Sequence, residues 1–325
     1  MKLVKKILNK LNGLHYPQEY LCLAKESFSE PLHVYLAENN RVIKDITDEH
    51  LFTGYCPLIF TLHSASANKQ NLPATIEIIF CPPSRQPNEF PGKMDAIARL
   101  SLQLIRKQTA GPTVIAYYEG VKGEHHFVSS IHQLMTGLYN RLYNKKNGNV
   151  FLHDNLYKQV QSAYSVPRII SLITVSNGQL YNLFPTDLHG PVNDQYYVCS
   201  LRHEGKACQQ VLAAGRIVIS QVYAEAYKTA YSLGKNHMQE LKAKNSFPFG
   251  ELVSTLFQLP LPQPVIYYRE LELVESFDHG IHKLLLFKVL SRRAVNGEPA
   301  TLAHIHNVYA TWRHNKGLSG NYLLR

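Results

Sequence analysis

The chain has 325 residues, a hydrophobic content of 45%, a charged content of 18% and a formal net charge of +10. This length exceeds what one hydrophobic core usually organises, so the sequence predicts two domains. The composition is typical of a globular protein and excludes a disordered or fibrous chain.

The positive charge is spread evenly along the chain. Residues 1–150 contain 17 Lys and Arg against 12 Asp and Glu, and residues 151–325 contain the same numbers. Nucleic-acid-binding arms usually carry like charges in blocks, and the closest approach to a block here is the group of lysines before residue 11. We therefore expect no nucleic acid partner.

The cysteines and histidines give no sign of a disulfide framework or a metal site. The five cysteines are odd in number, widely spaced and free of any C-x-x-C pair. The 16 histidines have no acidic or cysteine partner at a recognised ligand spacing. We expect reduced structural cysteines and no metal.

The N-terminal segment Met1–Leu14 predicts an amphipathic helix, with apolar residues on one face and lysines opposite. It lacks the uninterrupted apolar run of a signal peptide or a membrane span. We expect a cytoplasmic chain whose first helix docks on its own protein. Attachment to a membrane surface is the alternative.

The first half alternates strand and helix signals. Near-helical spacing of apolar residues predicts helices at Asp95–Lys107 and Ser129–Tyr143. Runs of β-branched and aromatic residues predict strands at Tyr20–Ala24, His33–Leu36, Pro57–His63, Thr75–Phe80 and Thr113–Tyr118. Residues 1–150 are thus a mixed α/β domain. They show no phosphate loop, nucleophile elbow or sequence repeat, so their role stays open.

A polar stretch at 144–149 predicts the boundary between this domain and a second one over residues 151–325. A helix at Asp154–Ala163 leads into the second domain. The periodicity then becomes that of a small barrel or sandwich, so the whole chain is α+β. The predicted strands of the second domain are Ile169–Val175, Tyr196–Leu201, Arg216–Tyr223, Glu270–Glu275 and Lys283–Leu290.

The turn and capping residues of the second domain point to an anion site. Asn177 and Gly178 predict a hairpin turn. A strand ending in Ser200 is followed by a short loop and by a helix over Lys206–Ala214, which Gly215 closes.

Free N–H groups at the start of that helix could converge on a phosphate with the Ser200 hydroxyl and the cations Arg202 and Lys206. The alternative is an ordinary surface helix with solvated charges.

The same region resembles the flavin-reductase-like family of FMN-binding split β-barrel proteins. Ser200, Lys206 and Cys208 align with the family's phosphate segment, S-x-x-x-x-x-K-x-T. Glu275–Val289 looks like the family's segment containing Gly-Asp-His, with His282 at the histidine. The residues that occupy the places of the family's N-x-x-P segment are Asn182, Pro185, Thr186, Asp187, Leu188, Pro191 and Val192. The resemblance covers roughly half of the chain.

The resemblance implies that residues 151–325 form an FMN-binding split β-barrel, or one that binds FAD, with NADH or NADPH as electron donor and a homodimer as the assembly. His282 is the side chain expected near the nicotinamide and the candidate catalytic residue; a structural histidine is the alternative. The residues expected to bind the cofactor are Asn182, Pro185, Thr186, Asp187, Leu188, Ser200, Leu201, Arg202, Lys206, Ala207 and Cys208.

The chain departs from the family pattern at several places. Cys208 replaces a threonine, Val211 an asparagine and Ile281 an acid, so each departure loses a polar group. Asp187 replaces a small hydroxyl residue, and an ionised carboxylate there would disfavour an anionic reduced flavin. The segment Tyr223–Pro264 is longer than the simplest members need and could cap the site or change its substrate.

Three functions follow from these patterns. The first is a reductase that passes hydride from the nicotinamide to flavin N5. The second is a non-catalytic flavin or haem carrier on the same barrel, suggested by the lost polar groups and the many histidines. The third is a basic interaction protein whose cofactor pocket has decayed.

Overall fold

The computed structural model of the chain describes residues 7–8, 10–16, 20–39, 41–65, 72–82, 95–143, 155–297, 300–318 and 322–324. The protein is mostly β-sheet with a smaller share of helix. In the predicted N-terminal helix, residues 7, 8, 10 and 11 are helical, while residues 1–6 and 9 lie outside the described residues. The predicted boundary at 144–149 lies outside them too.

An antiparallel sheet of seven strands forms the centre of the first half, in the order β3-β2-β6-β7-β8-β5-β4. The strands of this half are β1 (Tyr20–Ala24), β2 (His33–Glu38), β3 (Arg41–Asp45), β4 (Leu51–Tyr55), β5 (Leu58–Ala65), β6 (Thr75–Cys81), β7 (Ala98–Ala110) and β8 (Thr113–His125). The five predicted strands are confirmed. The sequence patterns did not reveal β3, β4 or β7.

The predicted helix at Asp95–Lys107 is wrong, because most of this stretch belongs to β7. Leu100 and Leu102 are buried on either side of a partly exposed residue, which is the two-residue period of a strand. A β-bulge then shifts the pairing between Leu104 and Arg106. Because the bulge breaks the alternation, the apolar residues of the whole stretch imitate helical spacing.

Two helices, α1 (Ser130–Tyr143) and α2 (Leu156–Ala163), confirm the other two helices predicted in this region. α2 packs on β8, where a glycine permits close approach. A Cβ atom at Gly123 would lie 2.6 Å from the Cα of Gln159. The side-chain amide of Asn155 fastens the two elements by donating to the Gly123 carbonyl at 2.9 Å.

A second antiparallel sheet, of eight strands, forms the centre of the second half, in the order β12-β13-β19-β18-β14-β10-β11-β15. The strands of this half are β9 (Arg168–Ile169), β10 (Ser171–Asn177), β11 (Leu180–Thr186), β12 (His189–Pro191), β13 (Tyr196–Arg202), β14 (Arg216–Val222), β15 (Lys242–Ala243), β16 (Phe249–Val253), β17 (Pro260–Pro262), β18 (Val265–His279), β19 (His282–Ala294), β20 (Thr301–Ile305) and β21 (Tyr322–Leu324). All five predicted strands are present, the first one divided between β9 and β10.

Local turn and cap chemistry in this half follows the sequence. Gly178 has a φ of +61° in the tight turn that joins β10 to β11, which confirms the predicted hairpin. The helices are α3 (Lys206–Ala214), α4 (Tyr227–Ser232) and α5 (Asn307–Asn315). α3 has its predicted bounds, and Gly215 ends it with a φ of +65° and an N–H bond to the Val211 carbonyl.

The two halves are joined by a smaller sheet and a shared apolar cluster. The smaller sheet has the order β21-β1-β20-β9, so the first strand of the chain pairs with strands of the second half. The shared cluster lies between the large sheets and includes Ile59, Ile115, Tyr117, Val198, Leu284 and Leu286. Burial of this apolar surface holds the halves together. Across the described residues, the helices are all too short or too polar to cross a membrane.

Candidate functional site

A pocket of about 380 Å³ opens where β13, β19 and the start of α3 meet the loop between β11 and β12. This volume is within the range of small-molecule sites. The residues that line it are Tyr55, Pro185, Thr186, Asp187, Leu188, Ser200, Leu201, Arg202, Gly205, Ala207, Cys208, Gly234, His237, Met238 and His282.

The structure brings most of the predicted site residues together in this pocket. The ten that line it are Pro185, Thr186, Asp187, Leu188, Ser200, Leu201, Arg202, Ala207, Cys208 and His282. Asn182 and Lys206 do not line it. The topology explains the convergence, because β13 and β19 are hydrogen-bonded neighbours and Ser200 pairs with Leu284, two residues from His282.

Asp187 is ionised and has its charge balanced from behind the pocket. The Arg168 guanidinium donates to the Asp187 carboxylate at 2.9 Å, and the ring of His304 lies 3.1 Å from the same oxygen. Burial by itself would raise the pKa of this carboxyl group, but Arg168 and His304 outweigh burial and hold the pKa well below its usual range. The guanidinium also stacks on the ring of Tyr164, with its central carbon 3.2 Å from the ring centroid.

Ser200 and His282 form a buried polar pair on the pocket wall. The Ser200 hydroxyl lies 3.1 Å from Nδ1 of His282, and Nε2 of this histidine is buried with no hydrogen-bond partner among the described residues. Burial and the nearby Arg202 lower the pKa of His282 to about 4, so the ring is neutral at pH 7. The neutral imidazole offers one nitrogen to Ser200 and keeps the other for a ligand.

The start of α3 offers backbone N–H groups at the pocket. Its N-cap is Gly205, which has no side chain to satisfy them. The N–H of Gly205 donates to the Arg202 carbonyl and that of Cys208 to the Gly205 carbonyl, so Lys206 and Ala207 have the N–H groups without a partner among the described residues. Arg202 adds a cation at the same end. Its guanidinium donates a hydrogen bond to the hydroxyl of Tyr55.

Asn182 holds the pocket wall in place from beneath. Its side-chain amide donates to Gln210 of α3 at 2.7 Å and to the Asn236 carbonyl at 3.0 Å, and Asn236 in turn donates to the Leu183 carbonyl. Asn182 is fully buried. Its contacts therefore position α3 and the 3-10 turn over Leu233–Met238.

Lys206 stands at the pocket rim as the first residue of α3. Its ammonium group pairs with Glu240 at 2.7 Å, and both side chains are largely exposed. Exposed pairs of this kind are worth only about 0–1 kcal/mol, so an anion at the rim could compete for the lysine.

Five lining residues were missed by sequence reasoning, and one of them is Gly205, the N-cap of α3. Gly234, His237 and Met238 belong to the long segment Tyr223–Pro264, whose length was the one available signal. Tyr55 comes from the first half of the chain, where it is the last residue of β4. No local pattern relates it to a site more than 100 residues further along.

The pocket does not carry the groups of a covalent catalyst. Burial raises the pKa of the Cys208 thiol to about 11, so this thiol stays protonated at neutral pH. Ser200 has His282 as a partner, but among the described residues no carboxylate bonds the second ring nitrogen of that histidine. All five cysteines are free, and no cluster of His, Cys, Asp or Glu suited to a metal ion occurs in the described part of the chain.

No protein-family model and no curated protein sequence matches the chain. Among solved structures, it is similar to an FMN-binding protein from Thermus thermophilus, at 18% identity and a TM-score of 0.38, over 43% of this chain and 82% of that one. It is also similar to the NADH:FAD oxidoreductase of Streptomyces globisporus C-1027, at 11% identity and a TM-score of 0.41, over 50% and 95%. The styrene monooxygenase flavin reductase of Pseudomonas putida S12 matches at 12% identity and a TM-score of 0.38, over 46% and 92%. These flavin-related structures cover about half of the chain.

Proposed function

We propose that residues 151–325 form a flavin-binding split β-barrel, that its pocket holds FMN or FAD, and that the chain oxidises NADH or NADPH. The observation that carries this proposal is the convergence on one pocket of an uncapped helix start, the Arg202 cation and the unpartnered Nε2 of His282. Such a set suits a ligand with an anionic end and a polar ring.

The anionic end of the ligand would lie at the start of α3. The free N–H groups of the helix and the Arg202 guanidinium are donors there, and Lys206 can turn from Glu240 to a phosphate at the rim. Cys208 stands where the resemblance implies a threonine. Its buried neutral thiol is a weak donor, so the helix N–H groups and Arg202 would bear most of the phosphate binding.

The ring of the ligand would lie against the segment Thr186–Leu188, whose backbone groups supply hydrogen bonds. Asp187 lies in this segment as a carboxylate, which alone would repel a reduced, anionic flavin. Arg168 balances that charge from behind the pocket, so the departure at Asp187 is compatible with a flavin. His282 would present its Nε2 to the ligands, with its ring oriented by Ser200.

A bound flavin would supply the hydride acceptor, and the nicotinamide cosubstrate would supply the hydride. The chain's own contribution is to bind, to orient and to limit access of water. The neutral His282 does not act as a general acid at pH 7, because its pKa of about 4 leaves it without a proton to give. Rate enhancement would therefore depend on alignment of the two rings.

Turnover tests the proposal directly. The purified chain is mixed with FMN and NADH, and the loss of NADH absorbance is measured. It is compared with the loss in a control that contains FMN and NADH without the chain, and with the loss for the variant Arg202→Ala. We expect oxidation above the control in the wild type and a raised KM for FMN in the variant. Oxidation no faster than the control, with FMN, FAD, NADH and NADPH all tried, would remove the reductase function.

A non-catalytic carrier is the second candidate, and the unpartnered Nε2 of His282 favours it, since a neutral imidazole nitrogen can also ligate haem iron. Binding of FMN without NADH oxidation would favour a flavin carrier. A Soret shift on adding haemin, abolished in His282→Asn, would favour a haem carrier. Binding of neither ligand would favour an interaction protein with a decayed pocket. The homodimer and the cytoplasmic location implied by the sequence stay predictions.

A further inference from the structure

The two large sheets have the same strand order, and their strands follow one another along the chain in the same sequence. In the first half the order is β3-β2-β6-β7-β8-β5-β4, and in the second half it is β11-β10-β14-β18-β19-β13-β12, with the short β15 added at one edge. Along the chain, the first two strands of each sheet form a hairpin at one edge, and the next two pair with each other at the opposite edge. The following strand lies beside the first hairpin, and the last two form a long hairpin in the middle of the sheet. Chain order and sheet order therefore correspond strand for strand.

The long central hairpins correspond residue for residue. Arg106 and Glu275 are 169 positions apart. When 169 is added to both residue numbers of any two paired residues in β7–β8, the result is two residues that pair in β18–β19. The β-bulges also coincide, at Ser101/Leu102 and Leu104/Arg106 in one hairpin and at Glu270/Leu271 and Leu273/Glu275 in the other. Bulges are specific local features that a shared topology alone does not impose.

The turns of the two hairpins correspond as well. Gly111 has a φ of +56° and Gly280 a φ of +58°, and each is the first residue of a two-residue turn. Besides these glycines, identical residues in the two hairpins are few, Leu102 with Leu271 and Leu104 with Leu273. The repeat is therefore evident in the strand pairing and not in the residue identities.

The two copies face each other about a pseudo-twofold axis. In a twofold interface, if residue i contacts residue j of the other copy, then j contacts i in return. Arg106 forms an ion pair with Glu275, its own counterpart. Arg106 also stacks on Phe277 at 4.5 Å, and in return Glu275 accepts from Gln108, the counterpart of Phe277, at 2.5 Å.

The turns at the two ends of the interface make reciprocal contacts. At one end, the turn between β4 and β5 meets the β18–β19 turn, where Ile281 donates to the Cys56 carbonyl at 3.1 Å. Tyr55, the residue just before this turn, packs edge-on against His282, with ring centroids 5.0 Å apart. At the other end, Asn193 of the turn between β12 and β13 donates to Thr113, the counterpart of His282, at 2.9 Å.

We propose that the chain is a fused pair, that is, two copies of one fold joined in a single chain. The N-terminal copy occupies the position of a partner subunit and supplies Tyr55 as a ligand-binding residue of the pocket. The pocket lies at the end of the interface that carries His282, and the corresponding position at the other end is Thr113. A single chain then forms the complete site from both copies, and the role of the first half is to supply Tyr55 to it. The identity of the ligand rests on the proposed function, whereas the fused pair does not.

The test compares two variants at opposite ends of the interface. Tyr55→Ala removes a pocket wall and the partner of Arg202, and Asn193→Ala removes the reciprocal contact far from the pocket. FMN affinity is measured by absorbance titration, the fold is checked by circular dichroism, and the mass of the FMN-bound chain is measured by light scattering. We expect FMN affinity to fall roughly tenfold in Tyr55→Ala and to stay unchanged in Asn193→Ala. The mass should be that of a monomer, 37.0 kDa, instead of that of the homodimer that the resemblance implies.

An unchanged FMN affinity in Tyr55→Ala would overturn the role of Tyr55, and so would an equal loss in both variants, because Tyr55 would then act only through docking of the halves. A chain that binds FMN only as a dimer would overturn the fused pair. If the wild-type chain binds no FMN, the proposed function fails separately. The monomer mass and the reciprocal pairing of Arg106 with Glu275 then still decide whether one chain forms the two-copy assembly.

Discussion

Arg106 of β7 forms an ion pair with Glu275 of β18, the residue that occupies the same position in the second long hairpin. A residue that pairs with its own counterpart lies close to a twofold axis. The pair therefore marks the centre of the interface between the two halves of the chain.

A charge swap at this pair tests the interface. Arg106→Glu places two carboxylates together and should lower the free energy of unfolding, and the double variant with Glu275→Arg should recover most of the loss. Because both side chains are about two-fifths exposed, 39% and 42%, we expect a coupling energy of only about 0.5–1 kcal/mol. Urea denaturation of the four proteins measures it. Additive effects of the two substitutions would show that the side chains do not interact in solution.

The buried pair Ser200–His282 predicts a pH dependence of stability. The pKa of His282 falls from 6.5 in the unfolded chain to about 4 in the folded chain. Below pH 6.5 the unfolded state therefore binds a proton that the folded state does not, and stability is lost as the pH falls towards 4. The loss from this one group reaches up to about 3 kcal/mol.

The variant His282→Asn keeps a polar atom near Ser200 and removes the titrating ring. Its stability should fall less steeply than that of the wild type between pH 6.5 and 4, as measured by urea denaturation at several pH values. The exposed His126 provides the matched control, because His126→Asn should leave the slope unchanged. Equal slopes in His282→Asn and the wild type would contradict the shifted pKa.

The sequence predicted the local part of the site and missed the part that depends on distant contacts. The helix over Lys206–Ala214 and its glycine cap follow from short-range backbone preferences, so they could be read directly. The strand β7 could not, because its bulge at Leu104 disguises the alternation. Tyr55 reaches the pocket only through the docking of two halves, and no pattern in the sequence records that docking.

Asn182 illustrates the same limit. The resemblance implies that it binds the cofactor, and this stays a prediction; in the structure Asn182 does not line the pocket and is bonded to Gln210 and to the Asn236 carbonyl. Asn182→Ala should cost about 1–3 kcal/mol in urea denaturation, because it removes a buried amide and leaves the side-chain oxygen of Gln210 without this donor. The exposed Gln209 of α3 is the control, since Gln209→Ala should cost far less. Equal costs would mean that the buried bonds contribute nothing.

Removal of Arg168 should leave the negative charge of Asp187 without its main counter-ion. In Arg168→Gln the carboxylate loses its buried counter-ion, so we expect a loss of about 2–3 kcal/mol at pH 7. The folded pKa of Asp187 lies below its unfolded value near 4, so the pair stabilises the wild type above that pH and its contribution fades on acidification. The deficit of the variant should therefore shrink as the pH falls below 4.

The double variant Arg168→Gln with Asp187→Asn should recover stability at pH 7, because neither charge is then unpaired. Arg292→Gln, which breaks the exposed pair with Asp194, is the matched control and should change stability little. A deficit in Arg168→Gln that is independent of pH would show that lost packing, rather than charge, is responsible.

Arg202 should distinguish a ligand with a phosphate from one without. Charge-assisted hydrogen bonds are worth about 1.5–3 kcal/mol, so Arg202→Ala should weaken FMN roughly tenfold or more. Riboflavin lacks the phosphate and should bind the variant and the wild type alike. Lys206→Ala should weaken FMN less, because Lys206 lies at the rim and pairs with Glu240. Equal losses for FMN and riboflavin would place the phosphate elsewhere.

The visible absorption spectrum of FMN titrated with the purified chain tests the central claim most directly. If the pocket around Asp187, Arg202 and His282 binds the flavin, the flavin bands shift as the ring leaves water, and the change saturates at about one FMN per chain. A spectrum that stays the sum of free FMN and free protein at every ratio, for FMN and for FAD, would contradict it.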